Sequence, residues 1–201
     1  MYNFTITGIS GALSANGLAN DVAYSGGGYA LTANTVSTDG LGHKITILGN
    51  AATNHSAKTF TVTGLDANSN TITDAIAGPN GNVTVTGAKY FASVTSVTVD
   101  STTGADTFDI GWNASSASAW HYLSRNSRPG DAFNVGFACV VGTGTPTFGV
   151  EQTYDGGVTA FAHGTVVAKN ASIEGTYTTP VQAIRLTWTA AGQVTLYGYQ
   201  A

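Results

Sequence analysis

Apolar and polar residues alternate along most of this chain, the pattern of strands with one face on a core and the other in water. In IRLTW (184–188) Ile184, Leu186 and Trp188 fall on one side, Arg185 and Thr187 on the other. TFGVEQTY (147–154) sets Phe148, Val150 and Tyr154 against Thr147, Glu151 and Thr153. Similar runs, dense in β-branched residues and separated by turn residues, predict strands at 2–8, 43–48, 58–64, 71–77, 82–87, 94–99, 106–111, 132–141, 160–168 and 193–199. No stretch keeps apolar residues at i, i+3, i+4 and i+7, and Gly interrupts most windows, so no helix is predicted. Segment 11–30 has neither period and ends in Gly26-Gly27-Gly28; it reads as a loop.

The pattern predicts an all-β fold of antiparallel β-sandwich or jelly-roll-like modules. Composition changes near residue 112, from a Thr/Val/Gly-rich part with short strands to WNASSASAWHYLSRNSRPGDAF, which holds two of the three tryptophans. Two modules are therefore expected, 1–111 and 112–201. NFTITGIS (3–10) and TFTVTGLD (59–66) echo each other, but one pair of short matches does not make a repeat architecture.

Charge changes the picture most. Charged residues make up 9% of the chain, against roughly 25% in ordinary soluble domains. Seven basic and eleven acidic residues, a net charge of −4, leave no basic patch to follow a phosphate backbone, so nucleic-acid binding is not expected. A surface poor in Lys and Glu resists association less, because those side chains lose the most entropy and hydration on docking. The single Cys139 excludes an internal disulfide, and no Cys/His zinc spacing is present. MYNFTITGIS has no basic stretch followed by an apolar run, and no segment approaches the roughly 18 apolar residues of a span; neither signal peptide nor membrane association is expected.

DANSNTITD (66–74) places Asp66, Asn68 and Asn70 on alternate positions, as a calcium loop begins. Such a loop needs Gly at position six and a bidentate acid at position twelve; here these are Thr71 and Ala77. Alternation resumes at once in TITDAIA, so DANSN is expected to be a hairpin tip.

The region TFTVTGLDANSNTITDAIAGPNGNVTVTGAKYFASVTSVTVD (59–100) resembles β-rich virion structural proteins of tailed bacteriophages. There a strand, an Asp-Ala-Asn/Asp-Gly-Asn tip, a return strand, a Gly-Pro-Asn turn and an aromatic K-x-F strand follow in this order. The C-terminal part, with GVEQTYDG, FAHG and PVQAIRLTWTAAGQVTLYGYQA (180–201), is similar to a second module of such proteins. This chain has Ser69 where the pattern usually has Gly. The resemblance implies a non-enzymatic particle component, a capsid decoration protein or a neck or tail subunit. It implies a homo-oligomer docked on other virion proteins (major capsid, portal or tail subunits), located in the virion and made in the host cytoplasm.

Candidate chemistry is sparse. His43, His55, His121 and His163 are scattered, no G-x-S-x-G elbow occurs, and Cys139 lies in an apolar run where a thiolate is costly. GTGTPT (142–147) has half a dinucleotide fingerprint without Lys or a following helix, and reads as a turn. Asp106 with Asp109, or Glu151 with Asp155, are the carboxylate pairs a glycosidase would need, but their spacing fits solvated or turn positions better. No cofactor, metal or catalytic residue is expected. The interface candidates are Trp112, Trp120, Tyr122, Arg125 and Arg128, types that dominate contact hot spots, although Trp120 and Tyr122 also fit a strand core. Sugar stacking on Trp112 or Trp120 defines the alternative, a carbohydrate- or receptor-binding module.

Overall fold

A computed structural model describes residues 2–124 and 133–200. It is all-β, with fourteen antiparallel strands and no helix among the described residues. They are β1 (Tyr2–Ser10), β2 (Ser14–Ser25), β3 (Gly28–Tyr29), β4 (Gly42–Gly49), β5 (Thr59–Leu65), β6 (Thr71–Ala77), β7 (Thr84–Phe91), β8 (Ser93–Val99), β9 (Thr107–Ala117), β10 (His121–Tyr122), β11 (Val135–Thr153), β12 (Phe161–Ala162), β13 (Ile173–Tyr177) and β14 (Ala183–Gln200). The chain divides into two compact units, Gly11–Ser116, and Met1–Ser10 with Ala117–Ala201. The first strand thus belongs with the C-terminal part, and the division falls inside β9, a few residues after the position expected from composition.

The Gly11–Ser116 unit is a two-layer sandwich. One sheet has the order β7-β4-β9-β2-β3, the other β6-β5-β8. Alternate residues of both point inward: Ile45 and Ile47, Phe60 and Val62, Val97 and Val99, Phe108 and Ile110 are all buried in one cluster. Burying each such side chain contributes roughly 1.5–3 kcal/mol, which is why period two was readable here. Segment 11–30, expected as a loop, is mostly β2. Its ladder to β9 slips between Ser14 and Ala19 and again between Ala19 and Val22, and Asp21 has φ 50°. Two bulges erase the alternation, so Leu18 and Ala19 are buried side by side.

The other unit is built on β11 and β14, paired from Val135–Gln200 at one end to Thr153–Ala183 at the other. GTGTPT is therefore not a turn between strands. It is the bulged middle of one long strand, where register slips on both sides of Gly144. Gly144 (φ 82°) and Gly192 (φ 149°) face each other there in conformations that residues with a Cβ avoid. β1 lies along the C-terminal half of β14 and β10 along its start, while β13 and β12 take the matching places on β11. A straight β14 would hold residues 184 and 198 roughly 45 Å apart. Yet Phe4, opposite Gly198, stacks on His121, opposite Ile184, with centroids 4.4 Å apart. The pair folds back at its bulges into two layers, as strands that change sheets do. Tyr177 closes the layers by donating to Gln152 Oε1 at 3.0 Å.

Of the run 160–168 only Phe161–Ala162 is strand; beyond it His163 turns the chain and Ala168 has φ 49°. β13 was not anticipated, being only five residues long.

Candidate functional site

The inward row across the first half of the C-terminal unit reads Phe4, Gly198, Phe137, Gly175. A Cβ at Gly198 would collide with the Phe4 ring and one at Gly175 with the Phe137 ring. Aromatic rings here lie flat on glycines, filling the thin space between layers. The outward rows of the same sheet are different in kind: Asn3, Tyr199, Gly136, Thr176 in one, and Thr5, Tyr197, Ala138, Glu174 in the next. Thr7, Thr195 and Val140 form a third row, in which Thr7 Oγ1 donates to Thr195 Oγ1 at 3.2 Å. Tyr197 is 55% exposed, Tyr199 40%, Val140 44% and, further along β1, Ile9 53%. Among the described residues this face carries one charge, Glu174, at its β13 margin.

Trp120 is buried at 6% exposure, with the Arg185 guanidinium 4.3 Å from its ring centroid. Arg185 is in turn held by Glu151, to which its Nε and Nη2 donate at 2.8 and 2.6 Å. Gly157 approaches Trp120 so closely that a Cβ would lie 2.6 Å from Nε1. Trp112 packs half-buried on the sandwich core, with Gly17 against its ring. Tyr122 is exposed and donates to the Gly156 carbonyl at 3.2 Å. Arg125 and Arg128 lie outside the described residues. The five candidates are not gathered into one patch among those described; the exposed aromatic face is made by Tyr197 and Tyr199. Their i, i+2 spacing beside buried Leu196 and Gly198 was the available signal, visible in VTLYGYQ (194–200) but not weighed.

Several of the remaining polar groups are engaged in turns, bulges and ion pairs. Asp66 Oδ1 accepts from the N–H groups of Asn68 and Asn70, both at 2.8 Å, and Ser69 N–H donates to the Asp66 carbonyl at 3.0 Å. Ser69 then has φ 65°, completing a bulged hairpin tip. Asp74, which closes the calcium-like string, is buried and turned to β7, where its Oδ2 accepts from Ala88 N–H at 2.7 Å and Lys89 N–H at 3.0 Å. His43 is fully buried, with Nδ1 2.9 Å from the Asn113 carbonyl and Nε2 2.8 Å from Asp39 Oδ2. His55 meets Asp106 at 2.9 Å, and hydrogen bonds from Thr53 and His55 hold the Asp106 carboxyl below its ordinary range. His163 donates from Nε2 to the Thr176 carbonyl at 3.2 Å and accepts at Nδ1 from Val166 N–H at 3.3 Å. Asp155, kept at about pKa 2 by the Thr159 N–H and the Thr159 and Thr153 hydroxyls, caps its own loop. Burial pushes the Cys139 thiol up to about 12.

No protein-family model, curated protein or solved structure matches this chain.

Among the described residues no three His, Cys, Asp or Glu side chains are placed to hold a metal ion. An open groove of about 710 Å³ runs between Gly27–Asn34 and Val94–Thr98, lined by Tyr29, Leu31 and neutral Thr, Ser and Asn residues. Its walls carry hydroxyl and amide groups but no carboxylate, imidazole, amine or thiol beside them.

Proposed function

We propose that the chain is a non-enzymatic structural component of a tailed-phage particle, either a capsid decoration protein or a neck or tail subunit, that acts by docking onto neighbouring virion subunits. The reading draws on the resemblance of 59–100 and 180–201 to such proteins, and one observation carries the docking part. The outward face of β1, β14, β11 and β13 exposes Tyr197, Tyr199, Val140 and Ile9 with a single carboxylate among the described residues, in a chain only 9% charged. Tyrosine provides large contact area at low entropy cost, and a face with little charge loses little hydration on burial. Engagement of the histidines and carboxylates described above in turns, bulges and ion pairs favours a building role over catalysis. The sugar-stacking alternative finds no support at Trp120, whose ring is buried under Arg185.

The test is particle association. Antibody against the purified chain should label intact phage particles, and the chain should sediment with them at a fixed stoichiometry. Particles that lack it exclude the assignment.

A further inference from the structure

Gly136, on an inner strand of a four-stranded ladder, is required by none of the described residues. Its φ is not left-handed, and a Cβ built on it meets no described residue within 4 Å, unlike Gly175 and Gly198, which make room for aromatic rings. Glycine inside a strand weakens it, and one use of such a glycine is to let another backbone or a ligand approach closely. Beside Gly136 stands Tyr199, and beside Ala138, one step along, stands Tyr197. The face is therefore a ridge of two tyrosines on β14 next to a trough of Gly and Ala on β11.

We infer that this face binds the same face of a second copy, around a two-fold axis running along the strands between β14 and β11. Ridge and trough share the same heights, so that rotation lays Tyr199 over the partner copy's trough at its Gly136 row and Tyr197 over the Ala138 row. It places Val140 against the threonine row of β14. Glu174, on β13, then meets the polar β1 row of Asn3 and Thr5 rather than another carboxylate. An isologous contact requires a self-complementary patch, and this one is complementary in relief and avoids like charges in a molecule of net charge −4. Among the described residues a basic partner would find only Glu174 to read. The inference deepens the docking reading and rests on it only in taking this face as the contact; the particle assignment can fail without affecting it.

Sedimentation equilibrium of the purified chain over a concentration series tests it, independently of any particle. Wild type should form a dimer, or an even-numbered assembly of dimers. Gly136→Val fills the trough with a good strand former, and Tyr199→Lys breaks the ridge; each should weaken self-association by about tenfold or more. Thermal stability of the Gly136→Val monomer should be undiminished, which separates loss of contact from loss of fold. A wild type that remains monomeric throughout, with both tyrosines open to other partners, overturns the inference. So does a dimer that both substitutions leave intact.

Discussion

Phe4 and Gly198 are cross-strand partners whose surfaces interlock: the ring occupies the space that a Cβ at 198 would need. Phe4 also stacks on His121, so the ring lies between the C-terminal strand and the opposite layer. Gly198→Ala should cost about 1–3 kcal/mol, as overpacking of a rigid core does. Relief by Phe4→Leu is the diagnostic measurement, because the double mutant should be more stable in urea than the sum of the single effects predicts. Strict additivity would mean that the ring moves aside freely.

At the tip of the β5–β6 hairpin the substitution of chemistry runs the other way. Ser69 holds φ 65°, a conformation that costs an L-residue roughly 1–2 kcal/mol and glycine little. Ser69→Gly should raise stability by about 0.5–1 kcal/mol, read as a higher urea midpoint with unchanged slope. A loss of stability would show that the Ser69 side chain contributes more than its backbone conformation costs.

Two titrations should give the pH profile two separate steps. Burial lowers His121, which stacks on Phe4, below its ordinary value of 6.5. The unfolded chain therefore takes up that proton first, and stability declines as pH falls below about 6.5. Burial works against the Asp39 charge, but His43 and the N–H groups of Leu41 and Gly11 outweigh it and hold the carboxyl below 3.8. That contribution is fully present above pH 3.8 and disappears as pH falls through the folded value. His121→Phe should remove the upper step, and Asp39→Asn should reduce the lower one, to which Asp106 and Asp155 also contribute, in urea midpoints measured against pH. A flat profile from about pH 7.5 to 5 would contradict the first.

Burial of Cys139 predicts its reactivity. With the thiol pushed up to about 12 and the side chain 1% exposed, a disulfide reagent should react with it only when β11 opens. Labelling should follow the denaturation curve of this unit; rapid labelling of the native protein would show that the strand opens locally.

What could be read from the sequence was what period two encodes. Ile45, Phe60, Val62, Phe108 and Leu186 announce their strands because every second residue is driven inward by the same burial energy. Bulges defeat that reading: β2 slips twice and β11 slips at Gly144, so one strand was taken for a loop and another for two strands with a turn. Pairing across long sequence separation was also hidden, since nothing in YNFTITGIS says that it will lie on the chain's last strand. The site followed the same rule. Trp120 and Tyr122 drew attention by residue type, whereas Tyr197, Tyr199 and Gly136 acquire meaning only when register puts them side by side.

Asp74 illustrates how a bulge is stabilised. The β4–β7 ladder jumps from Lys44–Tyr90 to Thr46–Thr86, leaving Gly87, Ala88 and Lys89 outside the pairing. Two of the released N–H groups are taken by one buried carboxylate oxygen from β6, in the opposite sheet, and Gly87 gives it room, since a Cβ there would collide with Oδ2. The bulge and the acid therefore depend on each other and tie the two sheets at this edge. Asp74→Ala leaves two donors without an acceptor and should cost about 2–4 kcal/mol; Asp74→Asn keeps one carbonyl acceptor and should cost about half of that. Hydrogen exchange identifies the cause, because the Ala88 and Lys89 amides should lose protection ahead of the rest of β7. Should those two amides keep their protection in Asp74→Ala, the bulge would be held by the backbone alone and the stability loss would have to come from packing.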